Sequence, residues 1–145
     1  MDDIQAAVLL AGLDRPADDI ACRAELAVAY GERLAGLPGI RRLPTLDPRE
    51  TATEPVHNVC LIEVDRRDAL VEFLARRGIG TETYYPLRLH LQPCFAELGH
   101  SVGAFPMAES ACRHTLALPF HPDLTMDQVD YACDTIGAFA EGEAR

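Results

Sequence analysis

The sequence of 145 residues contains no lysine, and all 13 of its basic residues are arginine. Without an ε-amine, no side chain can form a Schiff base with an aldehyde cofactor or with a carbonyl substrate. The lysine of a phosphate-binding P-loop is missing for the same reason. Any chemistry that depends on a side-chain primary amine is therefore expected to come from another polypeptide.

Positive charge is scarce as well, since 13 basic residues stand against 23 acidic ones and give a net charge of −10. A chain of this charge repels a phosphate backbone, so we predict no nucleic-acid partner. No apolar run is long enough to span a bilayer, and no basic-then-apolar signal pattern is recognisable. We therefore predict no membrane partner and a cytoplasmic location.

The five cysteines are widely spaced and include no C-x-x-C pair. This spacing argues against a zinc site and against a thioredoxin-like redox motif. Free thiols in a reducing compartment are the expected state.

The first part of the chain is predicted to be helical. Apolar residues at helical spacing indicate a short helix over residues 2–13 with one apolar face. A longer helix is predicted to begin at Pro16 and to end at the Gly-Leu-Pro-Gly turn of residues 36–39. Residues 40–55 are typical of a surface connection.

A strand–helix–strand unit follows. Residues 56–64 predict a strand, Asp65 a helix cap, and residues 67–77 a helix that ends at Gly78. Residues 81–85 again predict an extended segment. The two extended segments either run parallel with a crossover or pair antiparallel through an intervening strand, and the sequence leaves both arrangements open.

The last part of the chain alternates helices with one short strand. Helices are predicted over residues 93–98 and 106–114, and an apolar strand over residues 116–118. Thr125 and Gln128 have the spacing of a capping box, which predicts a final helix. The fold class is therefore a mixed α/β (α+β) domain, with a small sheet packed against helices.

Seven motifs occur in a fixed order along the chain. They are MDDIQAA at 1–7, CRAELAVAY at 22–30, RDAL through GIGT at 67–81, YPL with LHLQP at 85–93, LG at 98–99, FPMAE at 105–109 and LALP at 116–119. In this order they resemble the DegT/StrS family of pyridoxal-phosphate-dependent sugar aminotransferases. The resemblance covers essentially the whole chain but only the C-terminal part of that family.

This resemblance implies that residues 1–145 form the small C-terminal domain of a fold-type-I aminotransferase. Residues 1–37 would be its helical beginning, and residues 56–145 its core of sheet and helices. The N-terminal domain that carries the cofactor and its lysine in such enzymes has no counterpart in this sequence. Because the chain begins inside the family's N-x-R-M-D motif, we expect a truncated frame, a fragment or a split gene. A free-standing domain is the alternative.

The implied reaction is amino transfer, with glutamate as donor, to a keto-sugar nucleotide in aminosugar or polysaccharide biosynthesis. Pyridoxal phosphate is the cofactor of the intact family enzyme. We expect none bound covalently to this chain, no catalytic residue in it and no activity of it alone. Implied partners are the nucleotide-sugar substrate and either a second copy in a homodimer or a separately encoded N-terminal half. The alternative is a non-catalytic companion or nucleotide-sugar-binding subunit. A third hypothesis, a ligand-sensing ACT-like fold, has less support, because it rests only on the strand–helix–strand unit, which is common to many folds.

By the same resemblance, Tyr85, Arg88, His90 and Gln92 are the predicted substrate-binding residues. Alternating polarity predicts that residues 89–92 are extended, with His90 and Gln92 on one face. Each residue also has a structural reading. His90 would be a polar rim residue, Tyr85 an anchor of the loop against the sheet, and Arg88 a solvated surface arginine.

The sequence departs from the family pattern at Tyr84, where a histidine usually precedes Tyr-Pro. His57 is interpreted as a histidine at a sheet edge, and Glu109 with Arg113 as an i,i+4 helix pair. Three other histidines show no metal-ligand spacing, namely His100, His114 and His121.

Overall fold

A computed structural model describes residues 2–42 and 56–143 of the chain. The elements in chain order are α1 (Asp3–Gly12), α2 (Pro16–Leu34), β1 (Ile40–Arg42), β2 (Cys60–Val64), α3 (Arg67–Ala75), two 3₁₀ helices (Leu89–Leu91 and Pro93–Leu98), α4 (Pro106–His114), β3 (Thr115–Leu118) and α5 (Met126–Glu143). The predicted class is confirmed, because a small antiparallel sheet packs against helices.

The sheet has the strand order β1-β2-β3, and both pairs are antiparallel. Cys60 lies opposite Leu118, and Ile62 lies opposite Leu116. On the other side of β3, Ala117 exchanges two backbone hydrogen bonds with Glu82, of 2.8 and 3.1 Å. Strand β3 therefore lies between β2 and the segment of Glu82 and is antiparallel to both. The two extended segments are therefore parallel to each other, joined by a crossover that contains α3, and β3 lies between them, so the structure combines features of both arrangements that the sequence left open.

The core forms where alternate residues of β2 meet three helices. Cys60, Ile62 and Val64 are buried, while the residues between them are only half-buried. Helices α2, α3 and α5 bury one face each against these side chains, through Leu26, Ala29, Tyr30, Leu34, Leu70, Leu74, Val129, Ala132, Cys133 and Ile136. The fully buried Tyr30 donates its hydroxyl to the carbonyl of Pro119 at 3.0 Å, so α2 is tied to the end of β3.

Local signals placed most helix ends correctly. Pro16 occupies the first turn of α2, and Pro106 the first turn of α4, whose bounds are the predicted ones. Gly78 follows α3 with a φ of 75°, in the left-handed region that the prediction required. Helix α5 begins with the predicted reciprocal bonds, in which Thr125 accepts from the Gln128 amide and Gln128 from the Thr125 amide.

Replacing Thr125 by Ala is expected to lower the free energy of unfolding by about 1 kcal/mol, because the Gln128 amide loses its side-chain acceptor. Thr125→Ser is the matched control, since a serine hydroxyl caps equally well. Urea denaturation of the three proteins measures the difference. Equal midpoints for Thr125→Ala and Thr125→Ser would show that the cap contributes nothing.

The strand predicted over residues 56–64 is too long, because β2 begins only at Cys60. Cys60 pairs with Leu118, and the residue after Leu118 is Pro119, which has no amide hydrogen to extend the ladder. The helix predicted over residues 67–77 also ends early, at Ala75.

Asp65 does not cap α3. The position before the helix is Arg66, with no capping bond from its side chain, and the Asp65 carboxylate instead pairs with Arg41. The Asp65 amide donates to the carbonyl of Gly39 at 2.9 Å. The long-range contact with β1 thus competes successfully with the local cap.

Three further segments differ from prediction. Residues 40–42, assigned to a surface connection, form β1, and the rest of that predicted connection lies outside the described residues. Within residues 81–85 only Glu82 makes a β-bridge. Residues 89–91 form a 3₁₀ helix instead of an extended strand, so the predicted alternation does not hold there.

Helix α1 buries none of its residues. Its apolar side chains are widely exposed, with Ile4 at 78% and Val8 at 68% of their full accessibility. A carboxylate cap at Asp2 stabilises the helix locally, since Asp2 and Gln5 exchange bonds. Across residues 2–42 and 56–143, no helix combines the length and apolar character needed to cross a membrane.

Candidate functional site

A largely apolar hollow of about 440 Å³ lies between the two 3₁₀ helices and α4. Its walls combine apolar, aromatic and basic side chains from residues 88–112, namely Arg88, Leu89, His90, Phe95, Leu98, His100, Phe105, Ala108 and Cys112. The Phe105 ring lies edge-on to both histidine rings, at centroid distances of 4.9 Å from His90 and 5.0 Å from His100.

Behind this hollow lies a buried carboxylate, that of Glu109 in the first turn of α4. Its Oε1 accepts the Gly103 amide at 2.7 Å and the Phe105 amide at 3.5 Å. The same oxygen is 3.2 Å from Nε2 of His90, and both side chains are more than 90% buried. Glu109 therefore joins the first 3₁₀ helix, through His90, to the loop that leads into its own helix.

The charge state of Glu109 follows from these contacts. Burial acts to raise the pKa of its carboxyl, but the hydrogen bonds from Gly103, Phe105 and His90 outweigh burial and lower the pKa below the usual value. Arg113 adds a more distant positive charge, 3.9 Å from Oε2. The carboxylate is consequently ionised at neutral pH and acts only as an acceptor.

The structure brings together two of the four predicted substrate-binding residues. Arg88 and His90 line the hollow, whereas Tyr85 and Gln92 are not part of its walls. Tyr85 is 72% exposed, so it does not anchor the loop against the sheet, and that structural reading is wrong. Gln92 is half-buried, and its Oε1 lies 3.8 Å from the Cys94 sulfur.

Arg88 is not simply a solvated surface arginine. Its Nε is buried and has no hydrogen-bond partner among the described residues. Buried donors nearly always find an acceptor, and an unsatisfied one costs about 1–3 kcal/mol. The Nε–H of Arg88 is therefore a donor that an anionic or carbonyl ligand could satisfy.

A second hollow of about 360 Å³ lies beside the end of β3. Residues 58–59, 80–82, 84 and 117–120 contribute its walls, among them Tyr84 and Glu82. The sequence had indicated that His57 lies at a sheet edge, and this prediction is wrong, because His57 precedes the first residue of β2. Its Nε2 is buried without a partner among the described residues, and its ring lies 6.4 Å from that of Phe120.

Glu109 is the residue of the site that sequence reasoning missed. The predicted pairing with Arg113 exists, but the carboxylate binds mainly to the loop before α4 and to His90. Gly103 and Pro106, which shape a tight turn just before the glutamate, are the signal that could have indicated it. The bond to His90 spans 19 residues and has no local sequence signal.

The buried cysteines are poor nucleophiles. Burial, and secondarily the neighbouring Cys133, raises the pKa of the Cys60 thiol to about 12. Burial likewise raises the pKa of Cys133 to about 12, despite the nearby Arg33. A thiol acts as a nucleophile or a metal ligand as the thiolate, which is almost absent here at neutral pH. Within the described residues no three His, Cys, Asp or Glu side chains cluster as metal ligands would.

Comparison with known proteins identifies relatives along nearly the whole chain. The sequence model of the DegT/DnrJ/EryC1/StrS aminotransferase family matches residues 1–137. A dTDP-3-amino-3,4,6-trideoxy-alpha-D-glucose transaminase from Streptomyces venezuelae is 39% identical over 141 residues. That alignment covers 97% of this chain but 36% of the relative.

Solved structures agree with the sequence match. DesV from S. venezuelae, crystallised in complex with a ketimine intermediate, superposes with a TM-score of 0.89 at 38% identity. The match covers 97% of this chain and 37% of DesV. An aminotransferase of the same family from Brucella abortus gives a TM-score of 0.85 at 31% identity, with coverage of 97% and 36%. The chain thus spans a little over a third of the length of these relatives.

Proposed function

The chain belongs to the DegT/DnrJ/EryC1/StrS aminotransferase family, and we propose that it serves as the C-terminal portion of a pyridoxal-phosphate-dependent nucleotide-sugar aminotransferase. The observation that carries this proposal is the family match over residues 1–137. The proposed reaction is amino transfer from glutamate to a keto-sugar nucleotide in aminosugar or polysaccharide biosynthesis. Residues 1–145 would act as one domain, with residues 1–37 as its helical beginning and 56–145 as its core.

The residues of this chain do not fit the covalent attachment of pyridoxal phosphate. Enzymes that hold this cofactor do so through a lysine Schiff base, and the sequence contains no lysine. These residues can therefore contribute to substrate binding, but the amine that holds the cofactor must lie outside residues 1–145. The proposed partner is a second copy in a homodimer or a separately encoded N-terminal half.

Two features of the described residues support a role in binding. Arg88 offers a buried Nε–H without a partner, and a guanidinium is well suited to phosphate oxygens. His90 lies two residues away, on the wall of the same hollow. We propose that Arg88 binds the diphosphate of the nucleotide sugar and that His90 contacts its sugar, with Tyr85 and Gln92 at the margin.

The exposed apolar side chains of α1 support the proposed partner. An isolated amphipathic or apolar helix face of this kind usually marks a protein–protein contact.

The five cysteines are all free, which is consistent with a reducing compartment, and we propose a cytoplasmic location.

A chimera tests the function directly. The matched 36% of the S. venezuelae transaminase is replaced by this chain, and amino transfer to the relative's keto-sugar nucleotide is measured. We expect turnover. Arg88→Ala should lower kcat/KM by about 10- to 100-fold, as loss of a charge-assisted hydrogen bond would, and His90→Ala by about 3- to 10-fold, as loss of a neutral hydrogen bond would.

Arg76→Ala is the matched control for Arg88→Ala, because Arg76 is exposed and pairs with Glu72 at 3.7 Å on the surface of α3. A folded chimera that binds dTDP-glucose but transfers no amino group would instead support a companion or nucleotide-sugar-binding subunit. A folded chimera that neither binds nor turns over the nucleotide sugar would contradict the proposed function.

A further inference from the structure

The hydrogen bonds of Glu109 fix the chemistry of His90. The side chain of His90 is 8% exposed and that of Glu109 is 4% exposed, with Nε2 and Oε1 3.2 Å apart. A buried carboxylate is stable only when donors surround it. Gly103 and Phe105 supply two amide donors, and the His90 ring is placed to supply the third.

An ionised carboxylate has no hydrogen to donate, so the imidazole nitrogen that faces it must carry one. In neutral His90 that nitrogen is Nε2, which leaves Nδ1 as a hydrogen-bond acceptor. The alternative tautomer would place two lone pairs, those of Nε2 and Oε1, against each other in a buried site. The geometry therefore selects one of the two neutral tautomers.

Glu109 also fixes the orientation of the ring. The Phe105 amide donates to the same Oε1, and the Phe105 ring lies edge-on to His90 at 4.9 Å. One carboxylate thus holds both His90 and the aromatic side chain that packs against it. Any displacement of Glu109 would move the wall of the hollow as well as the histidine.

We propose that Glu109 is a positioning residue that holds His90 in its Nε2–H tautomer, so that Nδ1 is available to accept a hydrogen bond from a hydroxyl of the bound sugar. The ligand class is a hydroxyl donor of a nucleotide sugar, and this part rests on the proposed function. The tautomer itself is a property of the 145-residue chain and can be tested without activity.

Nitrogen NMR of the full chain labelled with [¹⁵N]histidine tests the tautomer. The sequence has five histidines, and His90→Gln assigns the signals of His90. In spectra recorded at alkaline pH, we expect Nε2 of His90 to be protonated and Nδ1 unprotonated. A His90 ring protonated at Nδ1, or a tautomer mixture like that of exposed His121, overturns the proposal without any variant.

Two substitutions separate the parts played by charge and by hydrogen bonding. Glu109→Gln keeps an oxygen acceptor for all three donors, so the Nε2–H tautomer should persist. Glu109→Ala removes the acceptor, so His90 should become a mixture of tautomers. Glu97→Ala, which removes an exposed carboxylate from the second 3₁₀ helix, should leave His90 unchanged. An unaltered tautomer in Glu109→Ala also overturns the proposal.

The chimera tests the functional half. Glu109→Ala should raise KM for the keto-sugar nucleotide about as much as His90→Ala does. In both variants the change in kcat should be smaller than the change in KM. The double variant should be no worse than His90→Ala alone, because both changes remove one interaction. Additive losses would show that Glu109 does not act through His90. If the parent chimera is inactive while His90 still holds its tautomer, the proposed function fails and the positioning of His90 stands.

Discussion

Pyridoxal phosphate incubated with this 145-residue chain and reduced with borohydride is expected to leave no label on any side chain. Reduction fixes the cofactor only where a primary amine has formed a Schiff base, and every basic side chain other than histidine is an arginine. A guanidinium stays protonated at neutral pH and is not a nucleophile. Peptide mapping by mass spectrometry should therefore find label, if any, on the N-terminal α-amine alone.

The matching expectation for activity is a complete loss rather than a reduced rate. The purified chain should transfer no amino group above the uncatalysed background, while the chimera with the remaining part of its relative should turn over. Bovine serum albumin treated in parallel is a positive control for labelling, because it contains lysines. Label at an internal residue of this chain, or amino transfer by the chain unaided, would refute the requirement for a partner.

This result would bear on how activity is distributed in the family. The chain spans 36% of its S. venezuelae relative, yet it retains a core of its own. It also retains the hollow that Arg88 and His90 share. Because residues 1–145 contain no side-chain amine, we expect amino transfer only when these residues act together with a lysine-bearing part of a family enzyme.

The sequence predicted those parts of the fold that depend on near neighbours. Helix α4 has its predicted bounds because Pro106 fixes the first turn. The start of α5 was predictable because Thr125 and Gln128 satisfy each other's amides over three residues. The positive φ of Gly78 was predictable because the turn after α3 needs a residue in the left-handed conformation, which glycine adopts most readily.

The failures involve contacts between distant parts of the chain. The position of Asp65 predicted a helix cap, but its carboxylate pairs with Arg41, which lies 24 residues earlier in the chain. The prediction of the site missed Glu109 for the same reason, since the hydrogen bond between His90 and Glu109 joins residues on separate elements. Alternating polarity at residues 89–92 indicated a strand, but no neighbouring strand pairs with that segment in the described part of the chain, and a 3₁₀ helix forms instead.

Family resemblance supplied what periodicity could not. It predicted Arg88 and His90 as substrate-binding residues from motifs with no interpretable pattern of their own; both line one hollow, and their role stays a prediction. It did not predict that Tyr85 would be 72% exposed in this chain. Exposure depends on which surfaces a larger assembly covers, and a single sequence contains no information on that point.

Replacing Leu74 by Ala is expected to cost the chain about 2–5 kcal/mol of its free energy of unfolding. Leu74 has no exposed surface and belongs to the core cluster that α3 and α5 form over the sheet. The substitution removes the transfer free energy of the side chain and leaves a cavity that neighbours such as Val129 and Ile136 fill only in part. Because a whole domain is stable by about 5–15 kcal/mol, much of the population could unfold.

Leu10→Ala is the matched control, since it deletes the same atoms from another helix at a position that is 66% exposed. Its effect should stay within about 0.5 kcal/mol, as for most surface substitutions. Urea unfolding followed by circular dichroism, at low protein concentration so that α1 does not associate, gives both values. A chain that behaves as an independently packed domain must show the large difference between Leu74 and Leu10. Similar small losses at both positions would mean that the core forms only when the partner polypeptide is present, and the chain would then depend on that partner for folding as well as for the cofactor.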